Sequence, residues 1–219
     1  MKLSIVMPVY NEKKTILEIL KRIKEVDIEK LKKEIIIVDD GSTDGSREII
    51  KNIKEQNIKK ILHKKNLGKG AAIKTGIAHA TGEIIIIQDA DLEYDPKDYN
   101  KVIIPILENK ADVVYGSRFM NSPLFSKKHL TIPLHYIGNK FLSLATSLLY
   151  FHKITDMETC YKAFKSSVIK NITIESKRFD FEPEITAKIL RAGYKIKEMP
   201  INFTPRKFKE GKKITWKDG

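Results

Sequence analysis

The sequence predicts an α/β domain with a mostly parallel central sheet and helices on both faces. Short apolar segments typical of buried strands alternate with amphipathic segments of helical period through roughly the first half of the chain. Polar residues follow each of these strands, as expected where ligands bind at the carboxyl ends of parallel strands. With 219 residues, of which 42% are hydrophobic, the chain can bury one substantial core. We therefore expect a single domain spanning 1–219.

The first two strand–helix units are predicted by their apolar periodicity. Lys2 to Val9 is a continuous apolar strand, and Asn11 is placed to cap the helix that follows. The apolar residues of this helix recur at helical spacing: Ile16, Ile19, Leu20 and Ile23. Glu34 to Val38 is the next strand. A second amphipathic helix follows, marked by Ile49, Ile50 and Ile53.

The alternation continues through three further strands. Lys59 to His63 is a short strand, and Ala71 to Ala80 is a helix of small residues. Ile84 to Gln88 is a strand of the fully buried type. Pro96 opens a helix that runs to Asn109, because proline is favoured at the first helical position. Asp112 to Tyr115 is the fifth strand.

The regular alternation ends beyond Arg118. Phe119 to Thr131 has no clear periodicity, which is typical of a lid or acceptor-binding loop and equally of a disordered segment. An apolar helix follows, and Thr155 to Phe164 is irregular. The pattern then predicts a helix from Glu182 to Ala192, stopped by a glycine, and a strand from Tyr194 to Pro200.

The apolar helix, Phe141 to Phe151, allows two interpretations. It is apolar nearly all round, which is typical of a buried helix, but three lysines precede it and favour contact with a membrane surface: Lys127, Lys128 and Lys140. No run of about 18 apolar residues occurs in the sequence, so a transmembrane helix is not predicted.

Composition excludes several classes of protein. One cysteine, Cys160, and five scattered histidines provide neither a disulfide framework nor a zinc site. The amino-terminal residues enter a strand pattern at once and lack the features of a secretory signal, so we expect a cytoplasmic protein. A net charge of +13 favours phosphates, nucleic acid or an anionic bilayer as partners. Nucleic acid is disfavoured because aromatic residues are not interleaved with the lysines as stacking platforms.

Three carboxylates, Asp89, Asp91 and Glu93, occupy alternate positions directly after the fourth strand. Strand alternation places them on one side of the chain. Converging carboxylate oxygens suit a hard divalent cation such as Mg²⁺ or Mn²⁺. An isolated Asp-x-Asp is also common in ordinary polar loops, so the rest of the sequence has to support the metal interpretation.

Two common nucleotide fingerprints fail at Ile73. A dinucleotide motif beginning at Gly68 requires glycine at position 73, and so does a phosphate loop ending at Lys74 and Thr75. A Gly-x-Ser-x-Gly nucleophile motif is absent as well. The sequence therefore supports neither NAD chemistry, nor ATP hydrolysis by a phosphate loop, nor that hydrolase arrangement.

Four ordered motifs carry a family resemblance. They are Pro8-Val9-Tyr10-Asn11-Glu12, Asp39-Asp40-Gly41-Ser42-Thr43-Asp44, Asn66-x-Gly68-Lys69-Gly70 and Asp89-Ala90-Asp91. The sequence resembles the family 2 glycosyltransferases over essentially its whole length, and within them the polyprenyl-phosphate sugar transferases, which include dolichyl-phosphate mannosyltransferases. The resemblance implies a GT-A-type, Rossmann-like fold. It also implies a nucleotide-binding half at about 1–118 and an acceptor-binding half at about 119–219.

The resemblance implies a set of site residues for a nucleotide sugar. Those expected to bind it are Pro8, Tyr10, Glu12, Asp39, Asp40, Lys69, Gly70, Asp89 and Ala90. Asp89, Asp91 and Glu93 are expected to hold a divalent cation, Mg²⁺ or Mn²⁺, which neutralises the departing pyrophosphate. The catalytic residues are expected to be Asp91, Glu182 and Arg118. The alternatives are that 39–41 is only a helix-capping turn and that 8–12 is only a strand exit.

The resemblance also implies how the acceptor binds. Glu182 matches the position of the catalytic base in relatives that use a hydroxyl acceptor. A phosphate acceptor is already nucleophilic near neutral pH, so Glu182 would then orient or bind without abstracting a proton. Arg118 and Arg206, with Lys212 or Lys213, are expected to clamp the acceptor phosphate.

The function that follows is a metal-dependent, inverting hexosyltransferase at the cytosolic face of a membrane. It is expected to move a hexose from GDP-mannose or UDP-glucose to a polyprenyl or dolichyl phosphate, with peripheral membrane contact and no nucleic-acid partner. Two departures from the mannosyltransferase pattern, Glu93 in place of glutamine and the segment 156–161, leave the donor sugar open. The alternatives are a saccharide hydroxyl acceptor and an inactive sugar-nucleotide-binding homologue. Many such relatives continue into membrane helices, so this chain is either a peripheral member or a fragment.

Overall fold

A computed structural model describes residues 1–28, 31–120 and 133–206 of the chain. Within these ranges seven strands form one sheet: β1 Lys2–Val9, β2 Lys32–Asp39, β3 Ile58–Leu62, β4 Ile84–Ile87, β5 Val113–Ser117, β6 Lys162–Lys165 and β7 Ile196–Pro200. The helices are α1 Ile16–Glu25, α2 Ser46–Asn52, α3 Lys69–His79, α4 Tyr99–Leu107, α5 Pro133–Tyr150, α6 Ser166–Ile169 and α7 Phe181–Arg191. A 3₁₀ turn, Pro96–Asp98, precedes α4.

The strand order across the sheet is β3-β2-β1-β4-β6-β5-β7. β6 runs antiparallel to both of its neighbours, and every other pairing is parallel. The prediction of a mostly parallel α/β sheet is therefore confirmed. The parallel strands β1, β2 and β4 end at the same edge of the sheet, which is where the predicted site residues lie.

Two apolar layers cover the sheet, because successive side chains of each strand point to opposite faces. Ile5 and Met7 of β1 pack in the same layer as α1 and α4. Val6 packs in the other layer with α3 and α7. α3 lies close to β1, since a Cβ added to Gly76 would lie 2.3 Å from Cγ1 of Val6. The small residues predicted for α3 thus permit its close contact with the sheet.

Three local predictions were wrong. Asn11 does not cap α1, which begins at Ile16; instead its Oδ1 accepts a hydrogen bond of 2.8 Å from the backbone N–H of Thr43 and joins the loops after β1 and β2. The segment Thr155 to Phe164, predicted to be irregular, contains the start of β6. The carboxylates of 89–93 lie in a turn that follows β4, and not in an extended continuation of that strand.

β6 was not predicted from the sequence because the strand begins with a buried lysine. The Lys162 side chain donates to the carbonyls of Met157 and Thr159, and its Nζ lies 4.4 Å from the centroid of the Tyr115 ring. Burial lowers the pKa of Lys162, although Glu182 acts against this effect. A charged residue at a core-facing position breaks the apolar pattern from which strands are predicted.

A buried carboxylate, Glu34, joins β2 to the segment before β4. It accepts hydrogen bonds from the Ser4 hydroxyl, from the backbone N–H of Thr81 at 2.6 Å and from that of Gly82 at 3.2 Å. Burial alone would raise the pKa of Glu34, but the bonds from Ser4 and Thr81, with the charge of Lys59, outweigh it and lower the pKa to about 2.

Replacement of Glu34 by glutamine should reduce the free energy of unfolding by about 1–3 kcal/mol near neutral pH, because its hydrogen-bonded charge is lost. The folded pKa lies below the ordinary value of 4.5, so this stabilisation is present above that pH and is lost as the pH falls toward about 2. Urea unfolding at about pH 7 and about pH 2.5, with the exposed Glu108→Gln as control, measures the difference. If Glu34→Gln reduces the free energy of unfolding equally at both pH values, the lowered pKa of Glu34 is contradicted.

Candidate active site

The carboxyl ends of β1, β2 and β4 bring three of the predicted motifs together. The backbone N–H of Asp40 donates to the carbonyl of Val9 at 2.8 Å, and that of Gln88 donates to the carbonyl of Val6 at 3.0 Å. These bonds continue the strand pairing into the polar loops. The segments 8–12, 39–44 and 89–93 therefore lie side by side at one edge of the sheet, as predicted.

Asp39 and Asp40 are almost completely buried and have protein partners. Asp39 Oδ2 accepts a hydrogen bond of 2.6 Å from Nε of Arg47. Asp40 lies 2.8 Å from Nδ1 of His63 and accepts the backbone N–H of Gly68 at 2.8 Å. No pattern in the sequence indicated Arg47 and His63 as partners of these aspartates. In this structure Asp40 holds the loop after β2 against the turn at 66–70, which we call the glycine turn. The contact of both aspartates with a nucleotide stays a prediction.

The glycine turn is required for a close backbone contact. Gly68 has φ 101°, and a Cβ added there would lie 2.2 Å from the carbonyl oxygen of Lys177. A Cβ added to Gly70 would lie 2.7 Å from the carbonyl oxygen of Ser176. The start of α3 therefore packs directly against the segment before α7, and this contact brings Lys69 close to Glu182.

Lys69 connects two predicted parts of the site. Its Nζ lies 3.0 Å from Oδ2 of Asp89, 2.9 Å from Sγ of Cys160 and 3.5 Å from Oε1 of Glu182. Burial alone would lower the pKa of Lys69, but the charges of Asp89 and Glu182 and the hydrogen bond with Cys160 outweigh it and raise the pKa well above its usual value. Burial raises the pKa of Cys160, so the thiol is neutral. Lys69 is thus a fixed positive charge between the acidic turn and α7.

The carboxylates of Asp89, Asp91 and Glu93 lie in a turn after β4. We call this segment, Asp89–Glu93, the acidic turn. β4 ends at Ile87, and Leu92 adopts a left-handed conformation with φ 67°. The backbone N–H of Glu93 donates to Oδ1 of Asp91 at 3.0 Å. The prediction that strand alternation places the three carboxylates on one side was therefore wrong. A turn brings them to the same edge of the sheet.

Arg206 lies among carboxylates from two elements. Its NH1 and NH2 groups donate to the two oxygens of Glu12 at 3.0 and 3.2 Å, and NH2 also donates to Oδ2 of Asp91 at 3.1 Å. Its backbone N–H donates to Oε1 of Glu93 at 2.8 Å. The buried Nε has no hydrogen-bond partner among the described residues. The guanidinium therefore supplies positive charge at the position predicted for a metal ion.

The electrostatics of the acidic turn fit a divalent cation. Burial, followed by the charges of Asp89 and Glu93, raises the pKa of Asp91 to about 7, although Arg206 acts against this increase. Closely spaced carboxylates of this kind are stabilised by a hard cation with oxygen ligands. Among the described residues, no group of three His, Cys, Asp or Glu side chains is placed to hold a metal ion. Lys69 pairs with Asp89, and Arg206 pairs with Asp91. The residue types of the acidic turn fit the ion.

Arg118 is engaged in a buried ion pair. Its Nε and NH2 groups donate to the two oxygens of Asp156 at 2.8 and 2.7 Å. Its guanidinium carbon lies 5.3 Å from the ring centroid of Phe119 and 5.2 Å from that of Phe203. Burial would raise the pKa of Asp156, but Arg118 outweighs it and lowers the pKa. The guanidinium of Arg118 is already paired with Asp156 in this structure. The contact of Arg118 with an acceptor phosphate stays a prediction.

The remaining predicted residues have different surroundings. Pro8 is half-buried in β1, the side chain of Tyr10 is 37% exposed, and Ala90 is buried in the acidic turn. Lys212 lies outside the described residues. Among Pro8, Tyr10 and Ala90, Tyr10 has the largest exposed fraction.

A cavity of about 520 Å³ opens beside the acidic turn. Asp91 and Leu92 line one side of it, and Lys14, Arg22 and Arg206 contribute positive charge. Its volume lies in the range of small-molecule sites. Arg22 pairs with Glu18, and Arg206 pairs with Glu12 and Asp91, so the charges of these two arginines are balanced in this structure.

Two curated relatives and one solved structure are similar to this chain. The UDP-N-acetylglucosamine–dolichyl-phosphate N-acetylglucosaminyltransferase of Methanococcus voltae is 31% identical over 216 residues, covering 90% of this chain and 83% of the relative. The dolichyl-phosphate beta-glucosyltransferase ALG5A of Trichomonas vaginalis is 34% identical over 221 residues, covering 92% of this chain and 65% of the relative.

The solved structure is glucosyl-3-phosphoglycerate synthase from Mycobacterium tuberculosis in complex with Mn²⁺, UDP and glucosyl-3-phosphoglycerate. It superimposes with a TM-score of 0.68 at 16% identity, covering 95% of this chain and 74% of that chain, and it confirms the predicted GT-A-type fold. The sequence model described as Glycosyl transferase family 2 matches residues 4–173. The chain therefore belongs to the family 2 glycosyltransferases.

Proposed function

We propose that this glycosyltransferase moves a hexose, with inversion, from a nucleotide diphosphate sugar to a polyprenyl or dolichyl phosphate. The observation that carries the proposal is similarity over about nine-tenths of the chain to two relatives whose names specify dolichyl phosphate. The acidic turn and Lys69 supply charged groups suited to a nucleotide diphosphate sugar, and Glu182 pairs with Lys69. The reaction is proposed to take place at the cytosolic face of a membrane.

The donor is proposed to bind at the carboxyl ends of β1 and β2. Tyr10, whose side chain is 37% exposed, is proposed to contact the base or the ribose together with Pro8 and Gly70. The names of the relatives specify UDP-N-acetylglucosamine in one case and a glucosyl group in the other, which favours UDP-glucose or UDP-N-acetylglucosamine over GDP-mannose.

Asp89, Asp91 and Glu93 are proposed to hold Mg²⁺ or Mn²⁺. A cation held there would supply positive charge to the pyrophosphate leaving group. Arg206, which now pairs with Asp91, would then be available for an anionic group of a substrate. Lys69 stays paired with Asp89 and keeps that carboxylate in place.

The acceptor phosphate is proposed to contact Arg206, and Lys212 from the tail outside the described residues. Arg118 contributes to this end of the site by orienting the loop around Asp156, since its own charge is already paired. The acceptor oxygen attacks the sugar carbon opposite the departing nucleotide, so a single displacement inverts the configuration. A phosphate acceptor needs no base for this step near neutral pH.

The direct test supplies radiolabelled UDP-glucose, UDP-N-acetylglucosamine or GDP-mannose, with Mn²⁺ and a polyprenyl phosphate. Transfer is measured as label extracted into organic solvent, and omission of the lipid is the control. We expect one donor to be preferred. The proposal is overturned if no donor yields extractable label. Nucleotide binding without turnover would instead identify an inactive homologue.

Glu182 separates the phosphate acceptor from a saccharide hydroxyl acceptor. The carboxylate is 4% exposed and lies 3.5 Å from Nζ of Lys69, so it has a partner that orients it. We expect Glu182→Gln to reduce transfer to a phosphate by less than about tenfold, whereas loss of a general base costs about 10²–10⁴-fold. The rate is compared with that of Glu108→Gln, an exposed carboxylate on another surface. A loss above about 10²-fold would favour the hydroxyl acceptor.

A further inference from the structure

α5 presents large apolar side chains to the outside of the molecule. Phe141, Leu148 and Leu149 are 70%, 66% and 74% exposed, and Phe151 just beyond the helix is 98% exposed. With two further exposed residues they form an outer stripe at helical spacing, which consists of Ile137, Phe141, Leu144, Leu148, Leu149 and Phe151. A contiguous apolar surface of this kind marks an interaction site.

The polar side chains of α5 face the protein interior. Asn139 and Ser143 are buried, and Nδ2 of Asn139 donates to Oδ1 of Asp156 at 2.8 Å. The Ser143 hydroxyl accepts the backbone N–H of Met157 at 3.0 Å. A surface helix in water shows the opposite arrangement, with the apolar face inward. The outer face of α5 is therefore suited to an apolar environment.

The length and composition of α5 favour a position along a membrane surface. Its 18 residues give a length of about 27 Å. Among the described residues, however, no helix is both long enough and apolar enough to cross a bilayer. A helix with one strongly apolar face and a polar opposite face lies in the interfacial plane, with the apolar face inserted roughly 5–10 Å.

The charge around the outer stripe indicates which partner binds to it. Residues 133–150 contain no Asp or Glu, and the exposed Lys153 lies two residues after Phe151. Lys140 is half-buried, and its ammonium donates to the carbonyl of Thr155 at 3.2 Å. The whole chain carries a net charge of +13. Lysines beside inserted apolar groups are attracted to anionic headgroups. A second copy of the chain would bring the same positive edges together without carboxylates from this helix to balance them.

We propose that the outer stripe of α5 docks the enzyme onto an anionic lipid bilayer. The proposal rests on the proposed lipid acceptor. It adds the surface that contacts the lipid and the orientation that results. Asn139 connects the docked helix to Asp156, which holds Arg118. Docking therefore places the Arg118 end of the site at the depth of lipid headgroups, where an acceptor phosphate lies.

The test measures sedimentation with vesicles of phosphatidylcholine alone and of phosphatidylcholine with phosphatidylglycerol, without nucleotide or polyprenyl phosphate. Wild type should bind the anionic vesicles more tightly, and added salt should weaken the binding. The double variant Phe141→Ser with Leu148→Ser should bind at least about 30-fold more weakly, because two inserted side chains are lost. The matched control Leu17→Ser with Ile104→Ser changes two apolar residues that are also exposed, on α1 and α4.

Three outcomes overturn the proposal. They are wild type that binds neither vesicle, equal binding by the stripe and control variants, and a stripe variant that converts a wild-type dimer to a monomer in light scattering. Transfer to a short, water-soluble prenyl phosphate separates the two proposals. The stripe variant should retain that transfer. If stripe-dependent vesicle binding occurs while no prenyl phosphate is glycosylated by any variant, the docking surface stands and the proposed function fails.

Discussion

Asp91→Asn should reduce sugar transfer by about 10³-fold or more while the fold is retained. Asp91 lies at the centre of the acidic turn, and a cation held there would supply several kcal/mol of charge stabilisation. Asparagine keeps the size of the side chain and removes the charge. Initial rates with saturating donor and Mn²⁺ measure the effect.

The stability of the same variant provides a second readout. Burial and the charges of Asp89 and Glu93 disfavour the Asp91 carboxylate, so removing its charge should leave the melting temperature unchanged or raise it. Asp27→Asn, at an exposed position in the loop after α1, is the matched control. Undiminished transfer by Asp91→Asn would remove the acidic turn from the catalytic site. Lost activity with an unfolded protein would leave only a structural role.

Arg118→Met should reduce the free energy of unfolding by about 3–5 kcal/mol. The substitution leaves the Asp156 carboxylate buried without its ionic partner, and an unpaired buried charge is among the most costly defects. Contacts of the guanidinium with Phe119 and Phe203 are lost as well. Chemical denaturation measures the change.

A double variant tests the origin of that cost. Arg118→Met combined with Asp156→Leu removes both charges and should recover part of the stability, because apolar replacement of a buried ion pair is often neutral. Arg191→Met, at the exposed end of α7, controls for the loss of one positive charge. If Arg118→Met lowers the free energy of unfolding no more than Arg191→Met does, the ion pair with Asp156 is not a major source of stability. That result would also restore Arg118 as a free ligand for the acceptor phosphate.

The elements up to β5 were predictable because each has a local signal. β1 is a continuous apolar segment, and the buried face of α1 follows the helical period. β6 was missed because it has four residues, of which the first is a buried lysine. Lys162 is stabilised by carbonyls and by the Tyr115 ring, and these contacts arise only after folding.

The candidate site was predictable in its motifs and unpredictable in its pairings. The spacing of Asp89, Asp91 and Glu93 indicated a carboxylate cluster, but the left-handed turn at Leu92 that arranges it leaves no strong signal for a non-glycine residue. Arg118 pairs with Asp156, 38 positions away, and Arg206 with Glu12, 194 positions away. One sequence contains no local pattern from which such distant pairs follow.

The single sheet limits how the enzyme can respond to its substrates. β6 bonds to β4 on one side and to β5 on the other, so backbone hydrogen bonds run from the strands of the nucleotide end to those of the Arg118 end. Hinge-bending of two rigid lobes would have to break this ladder. We therefore expect conformational adjustment during turnover to be confined to connecting loops and to the segment that carries Arg206, while the spacing between strands stays constant.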